Sequence, residues 1–184
     1  MQEDFYYAHV MSDQKRTQSV SRHLAGVMYL SERNCPLDIL KNIAIVIALV
    51  HDSGKLSEAF FKYMEEVLKY GENVQKQHID HSSAGGRIVE DITNKNFLSE
   101  IIATVVYSHH GLQDCINMSS GETLSANRRQ KDIDYKTVTD RYFQIIDKQK
   151  FYEYLKKAQA DIACLYKHIT DFCQKTENKQ LNCG

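Results

Sequence analysis

Apolar residues recur at helical spacing in the first part of the chain. Over residues 14–33, small and apolar side chains return every three or four positions, and His23 lies on the same stripe. The positions that define the stripe are Val20, Leu24, Val27, Met28 and Ser31. This spacing is typical of an amphipathic helix with one face toward a core. Residues 1–12 have no clear period, so no element is predicted there.

The segment "PLDILKNIAIVIALVHD" predicts a second helix, which begins near Pro36 and ends by Gly54. Proline suits the first turn of a helix, and glycine is a common residue just past its end. After Asn42 the segment is apolar on all sides, which predicts the central buried helix of the fold. Its β-branched residues would also suit a strand, but the amphipathic "LDILKNI" runs into it without a break and favours a helix.

Three more helices are predicted from the same kind of pattern. "SEAFFKYMEEVLKY" begins at Ser57 and is closed by Gly71. "HSSAGGRIVEDI" follows Asp80, a residue type that caps helix N-termini, and its two adjacent glycines suggest close packing of backbones. "NFLSEIIATVVYSHHG" predicts another buried helix, which ends at Gly111.

The remaining segments are polar or belong to a long helical region. "ENVQKQHID" and residues 112–131 are predicted to be loops, the second with a basic "NRRQK" at 127–131. The helical region over residues 137–175 is predicted to break near Asp147. The sequence has no strand-like alternation of any length and no internal repeat. We therefore predict an all-α helical bundle in which residues 1–184 form a single domain.

Composition narrows the classes of function. The chain of 184 residues has a net charge of −1, so binding of a polyanion must be local, weak or assisted by a partner. Its five cysteines contain no C-x-x-C pair, and the N-terminus has no signal-peptide pattern. The longest apolar run is far shorter than the roughly 20 residues of a membrane span. We therefore expect reduced thiols, a cytoplasmic location and no membrane partner.

Residue types that ligate metals stand where the predicted helices end or on their apolar faces. These residues are His23, His51, Asp52, His81, His109 and His110. Adjacent residues on a helix point about 100° apart, so the adjacent pairs can share a target only at a helix terminus or around two ions. A lone histidine on an apolar helix is more often a hydrogen-bonded core residue, and Lys55 alone would suit a solvated loop. The joint order H, H-D-x-G-K, H, H-H-G favours a two-metal cluster.

The same motifs resemble those of a known superfamily. "HDSGK" with an upstream histidine, "HIDHSSAGGRI" and "YSHHGLQD" are similar to the HD superfamily of metal-dependent phosphohydrolases. The resemblance covers about residues 23–114. It is closest to the HD nuclease domain of type I CRISPR systems, which occurs alone or fused to a DNA helicase. It implies an HD-domain bundle with its metal site at helix ends, in the cytoplasm of a prokaryote.

The resemblance implies a role for each motif residue. One ion is held by His23, His51 and Asp52, and a second by Asp52, His81, His109 and His110. Lys55, which with Asp52 is the candidate catalytic residue, lies beside the bridging carboxylate or the scissile phosphate. His81 is preferred to His78 because it directly precedes "SSAGG". His9 and His168 are interpreted as non-ligands.

One motif of the family is missing from this chain. The family completes its first metal site with a late aspartate, in a motif that typically contains Asp-Ala-Asp, and no such motif is present. Asp161 in "KAQADIACL" is the nearest match, and Asp147 and Asp171 are weaker ones. We therefore expect the N-terminal fragment of a longer nuclease-helicase, with one ligand missing from the first metal site.

The resemblance predicts a metal-dependent hydrolase that cuts single-stranded DNA in CRISPR interference, through a water activated by two ions. Imidazole-rich sites favour Mn, Fe, Co, Ni or Zn and do not exclude Mg. A helicase domain and a CRISPR surveillance complex are the implied partners, and "NRRQK" either contacts phosphates or is a solvated loop.

Two alternative functions stay open. One is a phosphohydrolase of nucleotides or cyclic dinucleotides, although the Gly-Tyr-Pro signature of the latter is absent; the other is a metal-binding docking module without turnover.

Overall fold

The computed structural model describes residues 5–11, 16–110, 119 and 121–181. Within these ranges the chain forms eight α-helices and one two-stranded antiparallel sheet. The elements are β1 (Tyr7–Val10), β2 (Thr17–Ser19), α1 (Val20–Asn34), α2 (Lys41–Val50), α3 (Glu58–Tyr70), α4 (Ser83–Ile92), α5 (Phe97–Ser108), α6 (Leu124–Arg129), α7 (Tyr135–Ile145) and α8 (Lys148–Leu181). The all-α prediction is confirmed, with a small hairpin added. None of the described helices combines the length and the apolar character that crossing a membrane requires.

Helix α2 lies at the centre of the bundle. It contacts α1, α4, α5 and α8, and Val46 and Val50 on it are completely buried. The sequence predicted this position from a segment that is apolar on all sides. Because neighbouring helices cover α2, its C-terminal end points into the protein, and the 3-10 turn that follows, Ser53–Leu56, is buried as well.

The N-terminal residues form a hairpin that the sequence did not predict. Strands β1 and β2 pair antiparallel, and β2 runs directly into α1. The helix predicted from residue 14 therefore begins at Val20, where the Ser19 hydroxyl accepts a hydrogen bond from the Arg22 amide at 3.3 Å. Ser19 is thus the N-cap residue that marks the start of α1. The strand β2 before it has only three residues, too few for an alternation of apolar and polar positions to be recognised in the sequence.

Helix α4 packs against the end of α2 through two glycines. A Cβ atom at Gly85 would lie 2.0 Å from the Val50 carbonyl oxygen, and one at Gly86 would lie 2.2 Å from the Tyr107 ring. Only a residue without a side chain fits in these two places. The close backbone packing predicted from the adjacent glycines is confirmed, and it brings the start of α4 to the point where α2 ends.

Aspartates set two of the predicted helix boundaries. The Asp80 Oδ1 atom accepts hydrogen bonds from the amides of Ser82, the N-cap residue of α4, and of Ser83, its first residue, at 3.2 and 3.0 Å. The Asp147 Oδ1 atom accepts one from the Lys150 amide at 2.9 Å, at the predicted break between α7 and α8. Both positions follow from the sequence because an N-cap needs only a local acceptor.

The segment 112–131, predicted to be a loop, contains helix α6. The Thr123 hydroxyl caps this helix and accepts a hydrogen bond from the Ala126 amide at 3.1 Å. The loop prediction is therefore wrong for this part of the segment. Residues 111–118 and 120 lie outside the described part of the chain, and the prediction for them stays untested.

Candidate metal centre

The turn after α2 holds a buried carboxylate beside a buried ammonium. Asp52 is 4% exposed and Lys55 is 6% exposed, and the Lys55 Nζ atom lies 2.8 Å from Asp52 Oδ2. The turn brings the two side chains together because the Lys55 amide donates to the Asp52 carbonyl at 3.0 Å. A carboxylate at this depth requires charged or hydrogen-bonding partners. The abrupt end of the apolar helix thus places a charged pair inside the bundle.

Imidazoles approach the two oxygens of Asp52 from opposite sides. His23 Nε2 on α1 lies 2.9 Å from Oδ2, and His51 Nε2 at the end of α2 lies 3.4 Å from it. On the other side, His109 Nε2 after α5 lies 3.2 Å from Oδ1, and His81 Nε2 before α4 lies 3.7 Å from it. The carboxylate therefore lies between two groups of nitrogen donors.

His110 completes the second group. Its Nε2 atom contacts His81 Nε2, and ligand atoms of Asp52, His81, His109 and His110 all lie within 4.8 Å of one another. The structure thus brings together all six residues that the sequence singled out as metal ligands, with His23 and His51 near Oδ2 and the other three imidazoles on the side of Oδ1. It also places Lys55 beside the carboxylate.

Backbone carbonyls orient three of these rings. The Nδ1 atoms of His51, His81 and His109 donate to the carbonyl oxygens of Ala48, Ile79 and Val106, at 2.9, 2.9 and 2.6 Å. A carbonyl only accepts, so each Nδ1 carries the hydrogen and each Nε2 faces the cluster. This arrangement is the usual support for a metal-binding imidazole.

The donor set fits a bound cation. The Nε2 atoms of His23 and His51 lie 3.2 Å apart, and His81 and His110 face each other in the same way. Two imidazole nitrogens, or an imidazole nitrogen and a carboxylate oxygen, attract each other only when a proton or a metal ion lies between them. Imidazole with a shared carboxylate is the ligand chemistry of borderline divalent metals.

The electrostatics of the cluster favour the metal-binding form at Asp52, His51 and His110, and the protonated form at His109. Burial alone would raise the pKa of Asp52, but hydrogen bonds from His109 and His23 and the charges of His51 and Lys55 outweigh it, so the pKa lies far below its usual range. Burial lowers the pKa of His51 and of His110. The pKa of His109 is raised instead, because its bonds to Asp52 and to the backbone outweigh burial. An ionised aspartate and neutral imidazoles are the ligand forms.

His9 is a residue at this site that the sequence interpretation set aside. The Lys55 ammonium donates to His9 Nε2 at 3.2 Å, and the His9 ring centroid lies 4.9 Å from that of His23. Ligand atoms of His9, His23 and Asp52 lie within 4.8 Å of one another. No sequence signal pointed to His9, since it lies on a short strand and its approach depends on long-range pairing. Burial and the nearby Lys55 charge lower its pKa.

The candidates for a late aspartate lie elsewhere. Asp161 accepts a hydrogen bond from the Asn42 amide group at 2.8 Å, near the start of α2 and about 12 Å along the helix from its other end. Asp147 caps α8 and Asp171 is exposed on the same helix. His168 is also exposed there, with its Nδ1 atom 3.8 Å from the Cys164 sulfur. None of these side chains belongs to the cluster around Asp52.

A cavity of about 480 Å³ opens beside the second group of imidazoles. Its lining includes His78, Asp80, His81, His110, Arg128 and Lys131. Arg128 and Lys131 reach Asp80 Oδ2 at 3.1 and 2.6 Å. Burial would raise the pKa of Asp80, but hydrogen bonds from Lys131 and Ser83 hold it well below its usual value. His78 thus lines the cavity, outside the cluster that contains His81.

The basic segment 127–131 is bound to the protein by ion pairs. Arg129 reaches Glu90 Oε2 at 2.8 Å and Glu100 Oε2 at 2.6 Å, in addition to the contacts of its neighbours with Asp80. The interpretation of this segment as a solvated loop is therefore wrong. Its cations hold α6 against α4 and α5, and two of them line the cavity.

Comparison with known proteins agrees with these observations. A family model described as "Cas3, HD domain" matches residues 6–182, nearly the whole chain. The matched range contains every residue of the cluster around Asp52, His9 included. The comparisons with curated proteins and with solved structures found no match.

Proposed function

Because the chain belongs to the Cas3 HD domain family, we propose that it hydrolyses single-stranded DNA with two divalent metal ions, one on each oxygen of Asp52. Family membership places the chain among CRISPR-associated, metal-dependent nucleases. The finer proposal is carried by one observation: imidazole donors approach both oxygens of a single buried carboxylate. A site for one tetrahedral ion would not need donors on both sides.

The residues divide between the two ions according to the oxygen they face. His23 and His51 face Oδ2, while His81 and His109 face Oδ1 with His110 beside them. Divalent ions held by these residues would supply positive charge that offsets the repulsion between a phosphodiester anion and an attacking hydroxide. The many imidazoles favour Mn, Fe, Co, Ni or Zn, and Mg is the weakest match.

Lys55 contributes a fixed positive charge at the same place. Its ammonium is buried beside Asp52 and His9, so it stays near the cluster when an ion takes over its contacts with these two groups. A preorganised cation next to the reacting phosphoryl oxygens stabilises the negative charge that develops on them. We therefore assign Lys55 to electrostatic stabilisation and Asp52 to the positioning of both ions.

The cavity beside His110 is the proposed entry for the DNA strand. His110 lies at its edge, and the cations of Arg128 and Lys131 line its wall. A single strand is flexible enough to place one phosphate at the cluster while its neighbours lie in the cavity. Because the net charge of the chain is −1 and Asp80 offsets part of the positive charge, we expect weak, salt-sensitive DNA binding. A helicase domain and a surveillance complex are the proposed partners that supply the strand.

The test is a comparison of substrates under Mn²⁺ and under EDTA. The purified protein is incubated with single-stranded DNA, duplex DNA, nucleotides and cyclic dinucleotides, beside the variants Asp52→Ala and His168→Ala. We expect cleavage of single-stranded DNA that needs the metal, is lost with Asp52→Ala and is unchanged with His168→Ala. Turnover of nucleotides alone would identify a phosphohydrolase. Metal binding without any turnover would identify a docking module.

A further inference from the structure

A bulge in the N-terminal hairpin directs His9 toward the metal centre. Tyr7 pairs with Ser19 and His9 pairs with Gln18, so Ala8 is an extra residue on β1. Ala8 is buried in the hydrophobic core. Bulges of this kind bend a strand and change the direction of the next side chain, and they recur beside active sites. The direction of His9 is therefore a property of the hairpin's register.

The hairpin is fixed to the helix that carries His23. Strand β2 continues directly into α1, and the Val20 amide donates to the Tyr6 carbonyl at 2.7 Å. The Tyr6 ring packs edge-on against Phe61 with centroids 5.8 Å apart, and the Arg141 guanidinium lies 4.9 Å from its centroid. His9 and His23 thus belong to one continuous unit with defined packing, which is what a metal site needs from its ligands.

The two sides of Asp52 carry unequal numbers of imidazoles unless His9 is counted. Three imidazoles accompany Oδ1, whereas His23 and His51 accompany Oδ2. His9 brings a further imidazole to the Oδ2 side, since ligand atoms of His9, His23 and Asp52 lie within 4.8 Å of one another. An ammonium group only donates, so the contact with Lys55 shows that the His9 Nε2 lone pair points at a cation. That cation also touches Asp52 Oδ2, as a metal ion on this oxygen would.

From this geometry we propose that His9 is the third imidazole ligand of the ion on Asp52 Oδ2, together with His23 and His51. The inference rests on the proposed two-ion function. The lone pair and the carboxylate oxygen that bind the Lys55 ammonium are the donors available to a divalent cation, so Lys55 and the ion compete for them. The ion on Oδ1 has its own imidazoles and does not depend on His9.

Metal titration separates this role from a supporting contact to Lys55. Mn²⁺ is titrated into the purified protein, with stoichiometry and affinity from calorimetry and ion–ion coupling from electron paramagnetic resonance. We expect two coupled ions in the wild type. In His9→Ala, one ion should bind with unchanged affinity and the other at least about tenfold more weakly, since even residues that only support a ligand cost tenfold or more. The coupled spectrum should then be lost at limiting Mn²⁺.

Two further variants make the result specific. Lys55→Met removes the competing ammonium, so the affinity for the ion on Asp52 Oδ2 should stay unchanged or increase. His168→Ala, a histidine on α8 outside the cluster, should match the wild type. Thermal melting without metal verifies that each variant is folded. If His9→Ala is unfolded, His9→Gln, which keeps the side-chain volume, replaces it.

The possible outcomes distinguish the inference from the function on which it rests. Two ions in the wild type and two ions of unchanged affinity in His9→Ala would overturn the role of His9 and leave the proposed function intact. The same loss of affinity in Lys55→Met and His9→Ala would also overturn it, because His9 would then act only through Lys55. Fewer than two ions in the wild type would overturn both.

Discussion

Replacing Arg129 by alanine should destabilise the fold because it isolates a buried charge. Glu90 on α4 is 1% exposed, and Arg129 is its ion-pair partner at 2.8 Å. Removing one partner of a buried pair costs about 3–5 kcal/mol, since the remaining carboxylate stays desolvated. Arg129 itself is 29% exposed, so water can partly replace it, and the lower value of about 3 kcal/mol is expected. Its second partner, Glu100, is half-exposed and adds less than about 1 kcal/mol.

Urea unfolding followed by circular dichroism, in EDTA, measures this loss. For a chain of this size, about 3 kcal/mol corresponds to a fall of about 6–12 °C in melting temperature. The double variant with Glu90→Gln tests the cause: once the buried charge is gone, Arg129→Ala should cost about 2 kcal/mol less. Lys136→Ala, which breaks the exposed pair with Asp140, should change stability by less than about 0.5 kcal/mol.

Two results would contradict this explanation: additive effects of Arg129→Ala and Glu90→Gln on the free energy of unfolding, or a loss of less than about 1 kcal/mol in Arg129→Ala alone. They would mean that Glu90 finds another partner or that water reaches it. The same variants also bear on DNA binding. Because Arg129 is committed to Glu90 and Glu100, its removal from a still-folded protein should leave the affinity for single-stranded DNA unchanged.

Three further results are expected. Gly85→Ala should unfold the protein or weaken Mn²⁺ binding, because the new Cβ atom would lie 2.0 Å from the Val50 carbonyl oxygen. Gly26 in α1 has open space around it, so Gly26→Ala should instead raise the free energy of unfolding by about 0.5–1 kcal/mol. Calorimetry with and without metal measures the stability and the metal binding of both variants. Mn²⁺ at a hundred times its Kd should raise the free energy of unfolding by about 2.7 kcal/mol per site, reversed by EDTA and absent in Asp52→Ala, as melting curves would show. The lowered pKa of Asp80 stabilises the fold fully above its ordinary pKa of about 4, and this contribution is lost as the pH falls through the lower folded value. Asp80→Asn should therefore reduce the difference between the urea midpoints at pH 7 and pH 3.

Features governed by neighbouring residues were predictable from the sequence. Ser57 and Gly71 gave the limits of α3, and the adjacent glycines at 85–86 indicated close packing of backbones, although not which helix would be the partner. His51, Asp52, His109 and His110 were recognisable because each pair directly follows an apolar run that ends a helix, whereas His23 and His81 stood out only as part of the joint motif. The convergence of these ends could be inferred only from the joint motif and its resemblance to a family.

Features governed by distant pairing were not predictable. His9 reaches the centre through a bulged strand whose partner is only three residues long, and neither strand has a detectable period. Arg129 finds its carboxylates 29 and 39 residues earlier in the chain, so a basic run looked like a solvated loop. Asp161 was the nearest match to the missing aspartate, yet the packing of α8 places it against Asn42 at the far end of α2.

The bonds from His51 and His109 to the carbonyls three residues earlier have a consequence for the apoprotein. Those carbonyls belong to the last turns of α2 and α5, which lack helical partners of their own. In one conformation, each imidazole therefore caps the C-terminus of its helix through Nδ1 and points its Nε2 atom into the cluster. Fraying of either terminus and release of an ion are one linked equilibrium, so amide hydrogen exchange in these two turns should slow when metal is added.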